Sequence, residues 1–435
     1  MSQAPQVQVT PEQVVQTIQT FQQYLHSIRL SVHLSPVSAA MAYAAGSALT
    51  VGVALLVELV IVMGWVPRSP RAARAAAPAR AGPFRVTVIV PTYREGDSLV
   101  RTLESVVSQD YPRDLLEVVV AGEASDETLG PALAKLGLKA EDGFAGRVNG
   151  VTVKVSLGQG ARGKPVALNR ALELATGDVI GVVDADEVLP PDGVRRAVEA
   201  LRSGFAAAQL PRALEVPPEA RRGLGKVHVR GQAAEMQFYN RLLAPSLVRL
   251  TGSAWLTGSS YFVWRSDLED VGAWTPWAPT EDLDLSVKLL AAGKRIAFVG
   301  GAPSVGYPLT SVRSILRQKE RWVRGSLLAT FRALRGIRRT WPLVLFFIMP
   351  AWGYLLTPWL GLLALSGLDL QLLRWTLLWS LAWLAPSLAY YAGALRRAGR
   401  EVRPLPAIMA LYLLAGLASL AKIVVSRSDW RGSRA

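Results

Sequence analysis

The feature that most constrains the fold is an apolar run at 179–183 that ends in two aspartates, Asp184 and Asp186. A continuous apolar run of this length predicts a strand that is buried on both faces, as in a parallel sheet. Side chains two positions apart on an extended chain point the same way, so both carboxylates project from the strand's carboxyl end, where open α/β sheets bind ligands. The pair suits a hard divalent cation that also binds phosphate oxygens. Three residues alone also fit an ordinary strand end that turns.

A soluble α/β domain is predicted over residues 84–310, because strand-like and helix-like patterns alternate there. Strands are predicted at 84–90, 115–120, 151–155, 179–183, 261–264 and 295–299. Helices are predicted at 95–108, 165–175 and 281–292, the last with Thr280 as its amino-terminal cap. This alternation indicates a doubly wound, mainly parallel sheet.

Long apolar segments flank this domain. Residues 38–66 exceed the length of about 20 apolar residues that spans a bilayer. Three further spans are predicted within 341–426, at 342–366, 371–395 and 404–426. The arginines after the first span, beginning with Arg68, place the α/β domain in the cytoplasm by the positive-inside rule. We therefore expect an integral protein of a bacterial plasma membrane.

The predicted spans conflict with the positive-inside rule at one point, and three further segments lie outside both the spans and the α/β domain. Four spans put the basic tail 427–435 outside, so 342–366 is alternatively interfacial or re-entrant. Residues 1–37 fit an amphipathic helix on the membrane or a weakly ordered tail, and 67–83 is predicted to be a linker. Residues 311–340 alternate bulky apolar side chains with arginines, which indicates interfacial helices that contact phospholipid. The alternative is a helix on the soluble domain with a solvated basic face.

Charge and cysteine content narrow the function classes. The formal charge of +15 suits nucleic acid, an anionic membrane surface or a phosphorylated substrate. Because the arginine clusters adjoin apolar spans, anionic lipid explains them, and we expect no nucleic-acid partner. The chain has no cysteine, which excludes disulfides, zinc fingers and catalytic thiols, and its three histidines show no metal-binding spacing.

Five short polar stretches occur in a fixed order. They are PTYREG at 91–96, GEASDET at 122–128, GKPVALN at 163–169, DAD at 184–186, and TED at 280–282 followed by QKERW at 318–322. Each is weak alone. The ordered set resembles the membrane-embedded glycosyltransferases of family 2, the group with cellulose synthase, hyaluronan synthase and ceramide glucosyltransferase. The resemblance covers roughly residues 84–326 and includes the long block at 256–298.

The resemblance implies a GT-A fold, a single Rossmann-like α/β domain, with flanking transmembrane helices and interfacial amphipathic helices. It also implies inverting transfer of a sugar from a nucleotide diphosphate donor. Such a transfer needs a base for the acceptor hydroxyl, and the TED motif assigns that role to Asp282. Glu281, Gly258 and Trp322 fall on the acceptor side. The acids of TED also suit any helix amino terminus, where the helix dipole favours them.

The donor side follows from the same resemblance. Asp186 and Asp184 hold Mg²⁺ or Mn²⁺, which neutralises the departing diphosphate, and Asp184 also contacts the nucleotide. Lys164 lies near the donor, or is a solvated loop lysine. Thr92 and Glu95 are expected at the nucleoside, although Glu95 also suits a helix amino terminus.

The QKERW stretch completes the implied site. Gln318 orients the donor, and Arg321 clamps the leaving diphosphate. Trp322 forms part of the acceptor platform. Alternatively, Arg321 contacts phospholipid and Trp322 anchors the chain at the membrane interface. These membrane roles are compatible with the donor and acceptor roles.

One stretch departs from the family pattern. Ala121 and Gly122 stand where the family commonly has aspartates, one of which reads the nucleotide base. Glu123 or Asp126 is expected to substitute. A uridine nucleotide is therefore expected from the family resemblance and not from this motif.

The expected product is a glycolipid, because about four spans are few for a polymer channel. The alternative is a processive polysaccharide synthase, since the QxxRW motif is associated with such enzymes. A second alternative is a catalytically silent membrane subunit that binds a nucleotide sugar.

Overall fold

The computed structural model describes residues 80–160, 163–344 and 391–423 of the 435-residue chain. The predicted segments 1–37 and 38–66, nearly all of the linker 67–83, and the tail 427–435 lie outside these ranges. So do most of the predicted spans 342–366 and 371–395.

Within the described residues, an eight-stranded sheet in the order β3-β4-β2-β1-β5-β8-β6-β9 forms the centre, and β7 pairs with β10 beside it. The strands are β1 Val86–Pro91, β2 Leu116–Glu123, β3 Ala145–Val148, β4 Val151–Gly158, β5 Val179–Val182, β6 Ala207–Gln209, β7 Arg212–Leu214, β8 Tyr261–Trp264, β9 Ile296–Phe298 and β10 Ser304–Gly306. All six strands predicted from the sequence are present. Strands β1, β5 and β8 are buried along their whole length, as continuous apolar runs predict.

The register of the central strands brings the polar stretches together. Strand β1 pairs in parallel with both β2 and β5, so Val88 lies opposite Val118 on one side and Gly181 on the other. The carboxyl ends of these strands therefore meet at one edge of the sheet. Gly181 is required inside β5, because a Cβ there would lie 2.5 Å from the Phe262 ring.

The sheet is mixed but mainly parallel, as expected, because six of its eight strands run in the same direction. Strands β4, β2, β1 and β5 are parallel, but β8 runs antiparallel to β5 and β6, and β3 is antiparallel to β4. A short apolar run such as β8 indicates burial but carries no direction, so its orientation does not follow from its sequence.

Helices cover both faces of the sheet. They are α1 Asp97–Val107, α2 Leu129–Ala134, α3 Lys164–Leu174, α4 Gly193–Arg202, α5 Val227–Phe238, α6 Ala244–Thr251, α7 Arg265–Asp270, α8 Glu281–Ala291, α9 Val312–Arg335, α10 Ile337–Leu343 and α11 Leu405–Ile423. One core packs α1, α2 and α4 against the sheet. A second core packs α3 and α8 against the opposite face, so the DAD strand lies between the two cores.

Helices α8 and α9 approach each other very closely at Gly325. A Cβ at this position would lie 2.2 Å from the Thr280 hydroxyl oxygen. Thr280 occupies the N-cap position of α8, as predicted, although its side chain makes no capping hydrogen bond within the described residues. Its side chain packs against α9 instead. The contact fixes the QKERW stretch relative to the TED motif.

Residues 311–340, predicted as interfacial helices, form α9 and most of α10. The predicted span 404–426 coincides with α11, which packs against α5 and α9. Among the residues that the structure describes, no helix is long and apolar enough to cross a membrane.

Candidate active site

A cavity of about 690 Å³ opens at the carboxyl edge of the parallel strands. Four of the five polar stretches contribute to its walls. Its lining includes Tyr93, Glu95, Lys164, Asp184, Asp186, Gly258, Glu281, Asp282, Gln318, Arg321 and Trp322. The structure thus brings together all the site residues predicted from the sequence except Thr92 and Glu123.

Lys164 joins the DAD motif to the TED motif. Its ammonium lies 2.7 Å from Asp184 Oδ1 and 2.9 Å from Glu281 Oε1, and it donates to the Gly258 carbonyl over 2.6 Å. Burial disfavours the ammonium charge, but the two carboxylates outweigh burial and raise the pKa of Lys164. The lysine is therefore a fixed cation between two motifs almost a hundred residues apart. A solvated loop lysine, the alternative from the sequence, does not describe it.

Asp282 follows Glu281 at the first turn of α8 and lines the cavity half-buried. Burial and the neighbouring Glu281 carboxylate raise its pKa to about 6, although Lys164, the Leu283 backbone N–H and Arg321 act in the opposite direction. A carboxylate with this pKa is largely ionised at neutral pH and is a stronger base than an ordinary aspartate. Gly258 lies beside it with a φ of 87°, a left-handed conformation that favours glycine, and a Cβ there would be in ordinary contact with Asp282 Oδ2 at 3.5 Å.

Asp184 and Asp186 both line the cavity, and their carboxylate oxygens are the ligands that hard cations prefer. Asp184 also pairs with Lys164. No group of three or more His, Cys, Asp or Glu side chains with metal-binding geometry occurs among the residues described. Such a site fits a magnesium-type cation, which proteins commonly hold through one or two carboxylates and substrate phosphates.

A buried ion pair beneath the DAD motif was not predicted from the sequence. Glu187 is almost fully buried and accepts hydrogen bonds from Arg212 Nε at 2.5 Å and from the hydroxyls of Ser259 and Ser260, both at 2.8 Å. Ser259 also accepts the backbone N–H of Asp184 over 2.8 Å. This network sets the position of the DAD backbone. Adjacency of Glu187 to DAD was its only signal in the sequence.

Only some of the residues predicted to contact the nucleoside line the cavity. Tyr93 and Glu95 line the cavity, whereas Thr92 and Glu123 are almost fully buried and do not belong to its described lining. Glu123 lies 3.6 Å from Arg170. The buried position of Glu123 therefore argues against the base-reading role that was expected for it.

Asp126, the other expected substitute, holds the first loop. It accepts the Arg94 backbone N–H over 2.6 Å and both the backbone N–H and the hydroxyl of Thr128. Arg94 has a φ of 61°, a left-handed conformation that this bond supports. At Gly122, a Cβ would lie 2.7 Å from Leu129 Cδ2, so the aspartate common in the family would require the Leu129 side chain to move.

The QKERW stretch lies on α9 at the far wall of the cavity. Gln318 and Trp322 are half-buried, and both line the cavity together with Arg321. Arg321 donates to the Pro279 carbonyl, just before TED, over 2.8 Å. A guanidinium at this point is available to a diphosphate that enters the cavity.

Comparisons with known proteins identify the family of the chain. The chain matches the family described as "Glycosyltransferase like family 2" over residues 83–325. The beta-monoglucosyldiacylglycerol synthase of Synechocystis sp. is 30% identical over 244 residues, which are 55% of this chain and 47% of that protein. The poly-beta-1,6-N-acetyl-D-glucosamine synthase of Staphylococcus aureus is 24% identical over 284 residues, 63% of this chain and 64% of that protein. The chain therefore spans less than two thirds of either relative.

A solved structure shares the fold. The mannosyltransferase PcManGT from Pyrobaculum calidifontis, in complex with GDP-Man and Mn²⁺, aligns with a TM-score of 0.55 at 22% identity. The alignment covers 88% of this chain and 99% of that one. This similarity and the mixed α/β sheet show the GT-A type of fold.

Proposed function

Because this chain belongs to glycosyltransferase family 2, we propose that it transfers a hexose, with inversion, from a nucleotide diphosphate sugar to a membrane lipid. The expected donor is a UDP-hexose, and the product is a glycolipid. The observation that carries the proposal is the Lys164 bridge between Asp184 and Glu281, which places the cation motif and the base motif in one cavity.

The chemistry assigned to the chain is a single displacement. Asp282 takes the proton of the acceptor hydroxyl while that oxygen bonds to the anomeric carbon. The bond from this carbon to the donor diphosphate breaks, and its electron pair leaves on the diphosphate oxygen. Burial and Glu281 raise the pKa of Asp282 to about 6, which strengthens it as a base without protonating most of it at pH 7. The Arg321 guanidinium, on the opposite wall, is placed to hold the leaving group.

A divalent cation at Asp186 and Asp184 would neutralise charge on the leaving diphosphate. The structural neighbour was solved with Mn²⁺ and a nucleotide sugar, which supports a cation of this class and a donor of this class. Lys164 orients Asp184 through their 2.7 Å contact, and Ser259 fixes its backbone, so the carboxylate is held in place before the donor binds.

The lipid acceptor is supported by the synthase from Synechocystis, whose name describes a glucosyldiacylglycerol product. It is also supported by the surface of α9, where Leu328, Phe331 and Leu334 are exposed at intervals of three residues. Arg335 and Arg338 lie beside this stripe and are exposed as well. Apolar and basic side chains together suit an anionic membrane surface. We place the protein in a bacterial plasma membrane with the catalytic domain in the cytoplasm.

A processive polysaccharide synthase is the second candidate, and the named activity of the staphylococcal relative favours it. The two candidates differ in product size. A single-sugar glycolipid identified by mass spectrometry supports the lipid acceptor, and a ladder of long saccharide chains supports the polymer. Donor binding with no transfer to any membrane extract would instead indicate the silent nucleotide-sugar-binding subunit.

The test uses the purified full-length protein in lipid, supplied with UDP-hexoses and GDP-mannose and with a total lipid extract. Asp282→Asn should reduce turnover by at least about 1000-fold, since it removes the base and keeps the shape. Glu173→Gln is the matched control, because it makes a carboxylate-to-amide change at an exposed residue of α3, and it should keep full activity. Chelation should abolish transfer, and Mg²⁺ or Mn²⁺ should restore it. Wild-type turnover in Asp282→Asn would remove the basis for the assignment.

A further inference from the structure

The candidate site contains a second buried lysine that the proposed mechanism does not use. Lys319 lies inside the QKERW stretch and is fully buried. Its Nζ is 2.5 Å from Glu235 Oε2, 3.7 Å from the centre of the Trp322 ring and 4.7 Å from the centre of the Tyr412 ring. The Tyr412 hydroxyl donates to the other Glu235 oxygen over 2.7 Å. These four residues, here called the Lys319 cage, enclose one ammonium.

The Lys319 cage joins three helices at the acceptor wall of the cavity. Lys319 and Trp322 come from α9, Glu235 from α5 and Tyr412 from α11. Glu235, Lys319 and Trp322 also line the cavity. Because an ammonium is attracted to the face of an aromatic ring, Lys319 favours one orientation of the indole that faces the cavity.

The charges around Lys319 suit this role. Burial lowers the pKa of Lys319, and Glu235 opposes that effect. One carboxylate is thus shared by the ammonium and the Tyr412 hydroxyl, while the two rings, with centres 6.4 Å apart, supply the remaining contacts. A surface helix would have a solvated lysine at this position; here the partners are 84 and 93 residues away along the chain.

We propose that Lys319 is a positioning residue that sets the orientation of Trp322 toward the acceptor and makes that orientation depend on α11 through Glu235 and Tyr412. This inference rests on the proposed function, because it takes Trp322 as part of the acceptor platform. Lys319 acts on acceptor binding through the Trp322 ring, although the donor-binding Gln318 and Arg321 lie on the same helix.

The experiment compares kinetic constants of the full-length protein in lipid, with acceptor and donor varied separately. Lys319→Met removes the charge and keeps the length of the side chain. It should raise the acceptor KM by about tenfold and change the donor KM by less than about twofold. Lys319→Arg should recover an acceptor KM within about threefold of wild type, since a guanidinium also stacks on rings and pairs with carboxylates.

Tyr412→Phe tests the connection to α11, because it removes only the hydroxyl that Glu235 accepts. It should raise the acceptor KM by about threefold. Tyr391→Phe is the matched control: its hydroxyl donates to the Arg403 carbonyl over 2.7 Å, outside the cavity lining, and its loss should leave both KM values unchanged.

A double variant, Lys319→Met with Glu235→Met, separates positioning from simple stabilisation. Removing both charges should restore thermal stability while the acceptor KM stays high. An acceptor KM that returns to wild type with the stability, or that is unchanged in folded Lys319→Met, overturns the inference. If Lys319→Met does not fold, Tyr412→Phe and the double variant decide. If the wild-type protein extends a saccharide and no lipid, the proposed function fails, and the same comparison with that saccharide still tests the Lys319 cage.

Discussion

The two buried lysines of the site solve different problems. Lys164 lies between two carboxylates, Asp184 and Glu281, and these raise its pKa despite burial. Lys319 shares one carboxylate with a tyrosine hydroxyl and otherwise contacts rings, and burial lowers its pKa. Surplus negative charge makes the first a permanent electrostatic link between motifs. At Lys319 the charge of one carboxylate nearly balances the cost of burial, so the environment of this lysine is sensitive to the geometry of the two rings.

The difference also follows the two ends of the cavity. The Lys164 link is built from α3, β5 and α8, which pack on the central sheet. The Lys319 cage is built from α5, α9 and α11, which pack against one another in a separate core. The link between the DAD and TED motifs is thus set by the α/β domain, whereas the position of Trp322 also depends on a helix near the carboxyl terminus. We therefore expect substitutions in the Lys164 link and in the Lys319 cage to have different effects.

The largest effect on stability is expected for Lys164→Met. Without the ammonium, Asp184 and Glu281 face each other partly buried and uncompensated, which should cost about 3 kcal/mol in the free energy of unfolding. Activity should fall by at least about 100-fold, because the cation motif loses its orientation. Chemical denaturation and turnover measure the two effects.

Lys135→Met is the control for that substitution. Lys135 pairs with Asp97 at 2.6 Å on the surface, and both side chains are more than half exposed. Its loss should change stability by less than about 1 kcal/mol. Equal losses in the two variants would contradict the distinction between a linked and a solvated lysine.

An intermediate effect is expected in the pH profile. With a pKa of about 6, Asp282 is ionised above that pH, so kcat/KM should fall as pH drops through 6, by about tenfold per pH unit below it. Lys164 lowers the pKa of Asp282, so Lys164→Met should move this limb to higher pH. Lys319→Met should leave the limb in place. A limb that moves in Lys319→Met would remove the division between the two ends.

The smallest effect is a gain in stability for Asp282→Asn. The folded protein holds the pKa of Asp282 at about 6, above the ordinary 3.8, so folding disfavours the ionised carboxylate. The wild type should therefore gain stability as pH falls from 6 toward 4, and the neutral amide should be more stable than wild type at pH 7 by about 1 kcal/mol. Thermal unfolding at the two pH values measures this. A variant less stable than wild type at pH 7 would show that the carboxylate supports the fold.

Much of the donor end was predictable from the sequence. Apolar runs set strands such as β5, and the spacing of Asp184 and Asp186 indicated a shared direction. What stayed hidden was the antiparallel β8, since apolar character has no polarity along the chain. The three-residue β6, Ala207–Gln209, was also hidden, because it is too short for a periodic pattern.

The acceptor end was less accessible to sequence reasoning. Lys319 was visible only as a charge on a basic helix, where solvation is the ordinary outcome. Its partners Glu235 and Tyr412 come from distant segments, and their meeting follows from the packing of α5 and α11 on α9. Gly122 illustrates the opposite case: the missing family aspartate was visible in the sequence, and the structure shows that Leu129 would have to move to admit one.

The contact of Gly325 with Thr280 has a consequence for acceptor choice. Any side chain at position 325 would meet the threonine, so it is the glycine that lets α9 lie this close to α8. The gap between the carboxylate at 282 and the indole at 322 is then a preset width. We expect acceptors to be selected by the thickness that this gap admits, and a side chain at position 325 to change that selection.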